Sequence, residues 1–405
     1  MSHRPSRVPP APPFLRPCRV GAILLAGLAW ATAQAATGDG TWSGFGGLPE
    51  GCNGRIAKAA RAPDGRIVVA GVFTACGGAV ANRVAAFDPS TGAWSSLGSG
   101  LENGVNGIAQ AIDIAGSDIY IGGDFTLAGT VPAARVARWN GSAWSSLGEG
   151  ATNAMPGAYV LALAVSGTDL YAAGDFFAAG GIAADNVARW NGNSWSSLGS
   201  GAANGTDGEV DALRAWNGSI YVGGIFTQAG GAPANRIARW DGSAWSSLGA
   251  GVGSGTVLDV AAMATIGSDL FVGGGFNQAG AAPANAVARW NGNSWSALGN
   301  GSGNGVNGVV YGTAEAAGVL YAGGTFTQVG AVAANRIARW NGTAWSALGT
   351  GLGEEATDSV YTVATMGNDI YAGGQFLRAG GTIVNGIARW NGSSWSPLGS
   401  GVNGA

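Results

Sequence analysis

The stretch Asn335 to Gly349, NRIARWNGTAWSALG, decides the fold, because nearly the same phrase returns about every fifty residues from Asn82 to Gly399. Its second tryptophan falls at Trp94, Trp144, Trp195, Trp245, Trp295, Trp345 and Trp395, with Trp42 one period earlier, at a spacing of 50 to 52 throughout. The first aromatic falls at Phe87, Trp139, Trp190, Trp240, Trp290, Trp340 and Trp390. A fixed period of this length means one supersecondary unit stacked on copies of itself, and seven full copies are present.

Inside each copy the apolar residues come in runs of four to eight separated by turn residues, which is the pattern of strands and not of helices. In the third copy Val160 to Val165 reads as a first strand, Leu170 to Phe176 as a second, Asn186 to Trp190 as a third and Trp195 to Leu198 as a fourth. Asn191-Gly192 joins the last two and predicts a type I′ hairpin. First strands such as VLALAV are rich in alanine and valine, which suits a crowded position around an axis. A lone four-stranded sheet cannot bury two apolar faces, whereas seven stacked radially can. The expected fold is all-β, a seven-bladed β-propeller of four-stranded antiparallel blades occupying residues 36–405.

At these residues the chain resembles the kelch repeat: a second strand ending in a glycine pair (IYIGG at Ile119 to Gly123, LYAGG at Leu320 to Gly324), then an aromatic, a turn and a tryptophan. The nearest match is Phe87-Asp88-Pro89-Ser90-Thr91-Gly92-Ala93-Trp94. The third copy departs from the pattern with Ala173-Gly174, and the aromatic is usually Trp where the family has Tyr. A looser likeness extends to fungal cell-surface proteins that mark sites of polarised growth. The resemblance implies the fold and no particular partner.

The fourth-strand phrase occurs eight times and the other three strands seven times, so the segment at Trp42 or the one at Trp395 is surplus to a closed ring. The expectation is that the N-terminal segment competes for the outer edge of the last blade and helps close the ring. The alternative is a chain that belongs to a longer array.

Residues 1–35 read as a secretory signal peptide, with Arg4, Arg7, Arg16 and Arg19 ahead of an uncharged run from Val20 to Ala33, and Ala33-Gln34-Ala35 as the cleavage site. An uncleaved anchor is the alternative, although the run is short for a span. Removing the leader takes four of the 20 basic residues and the sole histidine, His3, leaving a net charge near −7 and one lysine, Lys58. That surface offers no basic track for phosphates, so no nucleic acid is expected as partner. No membrane span is expected after cleavage, and the expected location is secreted, periplasmic or cell-surface.

In a four-stranded blade the first-to-second and third-to-fourth turns share one face, and here they are short. The second-to-third loops (FTQAGGAPANR, Phe226 to Arg236) and the interblade loops (LGSGAANGTDGEV, Leu198 to Val210) share the other. Long and varied loops carry binding more often than tight turns, which makes the face bearing Asp207 and Asn235 the candidate ligand face. Two interblade loops concentrate acid there, Asp207, Glu209 and Asp211, and Glu354, Glu355 and Asp358. Alternating carboxylates can supply hard oxygen ligands to calcium, but the spacing fits no complete calcium loop, and solvated loop charge is the plainer reading. No cofactor is expected otherwise.

Cys52 in the loop entering the first blade and Cys76 in that blade's second-to-third loop belong on one face, so a disulfide is expected, with two free thiols as the alternative. Arg138, Arg189, Arg239, Arg289, Arg339 and Arg389 each precede the first aromatic. Neighbours on a strand point to opposite faces, so Arg and Trp do not form one sugar pocket; the expected roles are packing for Trp and backbone carbonyl or aromatic partners for Arg. Ion pairing as the general role is not expected, because Asp124 and Asp175 are replaced by Ile225, Gly275, Thr325 and Gln375.

Without a mature histidine, a Ser/His/Asp or Cys/His nucleophile is not available. The chain therefore reads as non-enzymatic. The leading expectation is a propeller that binds a protein or envelope partner through its loop face. A multivalent glycan-binding propeller and a structural module of a larger surface protein are the alternatives.

Overall fold

The computed structural model describes residues 51–148, 157–253, 260–299 and 304–399. The expected signal peptide and the phrase at Trp42 lie outside them. Among the described residues the chain forms seven four-stranded antiparallel sheets, each built from one contiguous copy with its strands in sequence order. Blade 1 comprises Arg55–Arg61, Ile67–Val72, Val84–Asp88 and Ala93–Ser96; blade 3 comprises Gly157–Ser166, Asp169–Phe176, Val187–Trp190 and Trp195–Ser197; blade 7 comprises Ser359–Met366, Asp369–Gln375, Ile387–Trp390 and Trp395–Pro397. The first strands touch one another in sequence order, and that of blade 7 touches that of blade 1, which makes a closed ring. The chain is a seven-bladed β-propeller.

Its core lies between blades and not within them. Seven apolar clusters each draw residues from two neighbouring blades, and one of them joins Ile56, Val69, Phe87 and Trp94 of blade 1 to Ala364, Tyr371, Ile387 and Leu398 of blade 7. The glycine pair that ends the second strand finds its cause here. A Cβ at Gly122, Gly223, Gly273 or Gly323 would collide with Val160, Val260, Val310 or Val360 of the next blade, and one at Gly373 would collide with Ile56. The second glycine of each pair, such as Gly123, has no room for a Cβ against the first strand's backbone.

The fourth-strand tryptophan ties each blade to the one before. The indole N–H of Trp144, Trp195, Trp245, Trp295, Trp345 and Trp395 donates to the carbonyl of Leu97, Leu147, Leu198, Leu248, Leu298 and Leu348, at 2.7–3.3 Å. Trp94 donates to Leu398 at 2.9 Å in the same way. The seam between blades 7 and 1 therefore repeats the bond of every other junction. Trp395–Pro397 is itself the outer strand of blade 7, so the described ring closes on complete blades; the N-terminal phrase expected to compete for that edge lies outside the described residues.

Two local expectations are corrected. Trp190 pairs with Trp195 and Asn191 N–H bonds Ser194 O at 3.2 Å, so the central turn residues are Gly192 and Asn193. Only the glycine has positive φ, 93°, which is the type II′ pattern and not type I′. The Asn191 side-chain oxygen accepts the N–H groups of Asn193 and Ser194, and this satisfies the turn without a left-handed asparagine. The repeated arginine, in turn, does form ion pairs in four blades, with a carboxylate the sequence reading passed over. Arg138, Arg189, Arg289 and Arg389 meet Asp118, Asp169, Asp269 and Asp369 at 2.7–2.8 Å, the aspartate standing at the start of the second strand. In blades 4 and 6, Arg239 and Arg339 donate instead to the hydroxyls of Ser219 and Ser346, each at 2.9 Å.

Candidate functional site

The second-to-third loops are more ordered than a glycine-rich stretch suggests. Each folds into a two-by-two residue hairpin, such as Ala75–Cys76 with Ala79–Val80, standing on the loop face. Below it the interblade segment forms a bridge whose partners are Val105 and Ala128, Thr206 and Ala229, Val306 and Val329, or Leu352 and Ala379. In blade 1 this register holds Cys52 and Cys76, and the two are joined as a disulfide. Cys52 N–H also donates to Asn385 O of blade 7 at 3.0 Å. The disulfide thus covalently fixes the entry to blade 1.

The acids expected to hold a ligand are largely engaged in holding these loops. Asp207 accepts the N–H groups of Thr227 and Gln228 and the Thr227 hydroxyl, all at 2.7 Å. Asn53, Asn106 and Asn307 clamp Thr74, Thr126 and Thr327 in the same place, their side-chain oxygen accepting the backbone N–H and their amide donating to the threonine hydroxyl oxygen. Burial alone would raise the Asp207 carboxyl, but the Thr227 hydroxyl and the N–H donors outweigh it and hold the group below its ordinary value. The Asn235 amide donates to Ala250 O at 3.0 Å, as Asn335 does to Thr350 O.

The second acid cluster has the same inward character. Asp358, only 8% exposed, accepts the N–H groups of Glu354 and Glu355 at 2.8 Å. Arg336, 6% exposed, donates to the backbone carbonyls of Glu355 and Asp358. The Glu354 carboxylate faces outward and meets Arg378 at 3.3 Å. The Glu209 carbonyl accepts Ile225 N–H at 2.9 Å, and Asp211 lines the axial channel and not the loop face. Among the described residues no three acidic, cysteine or histidine side chains gather as a metal site.

What the loop face presents instead is apolar. All ten large hydrophobic residues that stand exposed among the described residues lie in the second-to-third loops, at the ends of the second strands or in an interblade loop. Leu101 is 85% exposed, Phe177 68%, Val80 68%, Leu377 66% and Ile383 62%. Phe177 and Leu377 occupy the position of the clamped threonine of other blades, and in blade 7 Gly353 stands where the clamping Asn or Asp would be. This departure from the repeat is legible in the sequence itself.

A groove of about 550 Å³ opens on this face where blade 7 meets blade 1. Its walls include the Cys52 half of the disulfide, Val72, Phe376 and Leu377, with Asn53 and Arg55 polar among them. The Arg55 guanidinium lies over the Tyr361 ring, 5.3 Å from its centroid, and Tyr361 packs on Tyr311. The arrangement suits an apolar side chain or short segment inserted beside a cationic rim. It offers no nucleophile.

Over residues 62–90 and 217–240 the chain matches a family described as "Domain of unknown function (DUF5122) beta-propeller". No curated protein is similar enough to match it. Among solved structures it is similar to the WD40 β-propeller domain of Doa1, at 11% identity over 80% of this chain and 91% of that one, with a TM-score of 0.50. It is likewise similar to a structure described as YCF48 bound to D1 peptide, at 12% identity over 84% of this chain and 94% of that one, with a TM-score of 0.50. At these identities the likeness concerns the fold alone.

Proposed function

We propose that this chain is a non-enzymatic propeller of kelch-like repeats that binds a protein partner through its loop face, anchored at the groove between blades 7 and 1. The observation that carries the reading is the one-sided placement of exposed apolar residues. Scattered surface hydrophobics are ordinary, but ten confined to one face of a disc, beside an apolar groove, are the mark of an interaction surface. The tight-turn face is the inert side. A fold neighbour seen with a peptide offers precedent for the architecture, and nothing closer. The leader-like N-terminus and the Cys52–Cys76 disulfide support export to an oxidising compartment.

The test is capture of partners from envelope and secreted fractions, quantified by mass spectrometry, for three forms of the protein. A Leu377→Asp/Ile383→Asp variant is expected to lose the partner by about tenfold or more, as for a buried apolar anchor. A Ser243→Asp variant on the tight-turn face is expected to keep it. Equal capture by all three sinks the reading, and glycan-array signal that survives Leu377→Asp/Ile383→Asp would replace it with carbohydrate binding.

A further inference from the structure

The first strands of the seven blades enclose an axial channel of about 590 Å³. Each first strand carries a bulge, as between Val210 and Ala212, so the first-strand residues fall into tiers only after that offset is applied. One tier is Lys58, Ala111, Ala162, Ala212, Ala262, Gly312 and Thr362, and another is Ala60, Asp113, Ala164, Arg214, Ala264, Ala314 and Ala364. Small residues are the rule in both. Three blades break it, and each inserts a charge; outside these tiers Arg61, Asp211 and Glu315 also line the channel.

Packing does not explain these charges. Asp113 has a structural task, accepting Val165 N–H of blade 3 at 2.6 Å and Ile114 N–H at 2.9 Å. Arg214 donates one of its N–H groups to the Thr265 hydroxyl of blade 5 at 2.9 Å, which leaves most of its fork to the lumen. The ammonium of Lys58, the one lysine in the sequence, makes no hydrogen bond or ion pair among the described residues. Enclosure pushes its ammonium below the ordinary lysine range, Asp113 opposes that and Arg214 adds to it. A cation held in this lumen with no side-chain partner within hydrogen-bond reach is costly to keep charged unless something arrives to pair with it. Blades 1 and 4 are as far apart as a ring of seven permits, so the two cations flank the lumen from opposite sides.

We propose that the axial channel is a binding site for a small organic dianion, a short dicarboxylate, held between Lys58 of blade 1 and Arg214 of blade 4. Each carboxylate meets one cation, with Arg214 able to grip its end through two parallel N–H bonds. Asp113 sets the opposite sign beside Lys58, so that a ligand with a single negative end gains little, whereas one reaching both walls neutralises both cations. The site is independent of the loop face, and its fate does not decide the partner-binding reading.

The single lysine makes the experiment clean. Pulse acetylation of the folded protein, read by peptide mass, reports on the accessibility of Lys58 alone, apart from the chain's terminal amine. Succinate or adipate at about ten times its Kd is expected to slow that acetylation about tenfold and to raise Tm, because only the occupied native state is protected. Sodium chloride at matched ionic strength is expected to do neither. Arg214→Ala, which installs the residue five other blades use at that tier, is expected to abolish the protection while leaving Lys58 reactive; Lys58→Ala is expected to abolish the Tm response. Protection that persists in Arg214→Ala overturns the proposal, as does equal protection by chloride, or no effect of either dicarboxylate at tens of millimolar.

Discussion

At the scale of single residues, the loop-face acids show how a side chain's type and its task come apart. Asp207 was a natural ligand candidate, yet it takes the same two backbone N–H groups and the same threonine hydroxyl as Asn53, Asn106 and Asn307, accepting from the hydroxyl where those amides donate to it. The carboxylate is therefore exchangeable for an amide. Asp207→Asn is expected to leave the denaturant midpoint within error, and Asp207→Ala is expected to lower stability by about 1–2 kcal/mol through loss of the clamp. Because the folded carboxyl lies below its ordinary value, the stability it gives is present above the unfolded pKa and is lost as pH falls through the folded one. Urea melts between neutral pH and pH about 3 are thus expected to show a smaller acid loss in Asp207→Asn than in the parent. The sequence announced an acidic loop; it could not show that Thr227 and Gln228 turn their donors toward it, because those residues lie twenty positions away.

Among elements, the strand is the part most fully legible. Alternating apolar runs, turn residues and the recurring tryptophan located all four strands of blade 3 to within three residues at most ends. The failures came where local chemistry overrode a motif. Asn191-Gly192 suggested type I′ geometry, but the Asn191 side chain caps the turn and moves its centre one residue on. The small hairpin in each second-to-third loop is only two residues deep per strand and left no periodic signal. The inner-strand bulge defeats simple period-two reading, which is why Lys58, Asp113 and Arg214 did not stand out as occupants of alanine tiers. The disulfide belongs to this scale, since it replaces a bridge pair that is apolar in blades 2, 5, 6 and 7 and Thr206 with Ala229 in blade 4. Its reduction, or Cys52→Ser/Cys76→Ser, is expected to cost about 3 kcal/mol for a loop of this size. Hydrogen exchange should accelerate first at Cys52, Asn385 and the Trp94 indole, leaving blades 4 to 6 unchanged; uniform acceleration around the ring would contradict a local role.

For the molecule as a whole, the period alone gave the blade number, because a sheet with two apolar faces is stable only when flanked on both sides. What the period could not give was the manner of closure. Eight copies of one phrase left it open whether a strand would be exchanged across the seam, and the answer depended on Trp94 reaching Leu398 and Ile56 filling the space at Gly373, contacts spanning some three hundred positions. A ring that closes between finished blades has a mechanical polarity. Tension applied at the two ends of the described chain enters blade 7 through its outer strand, Trp395–Pro397, which is held by hydrogen bonds and apolar packing with no covalent cross-link. On the other side it enters at Cys52 and crosses the disulfide directly to Cys76, bypassing the first two strands of blade 1. Single-molecule stretching is expected to release blade 7 first and, under reducing conditions, to gain an additional extension of roughly 3.3–3.6 Å for each of the residues between the cysteines. The bond that secures the ring's entry therefore also sets the direction in which it unravels.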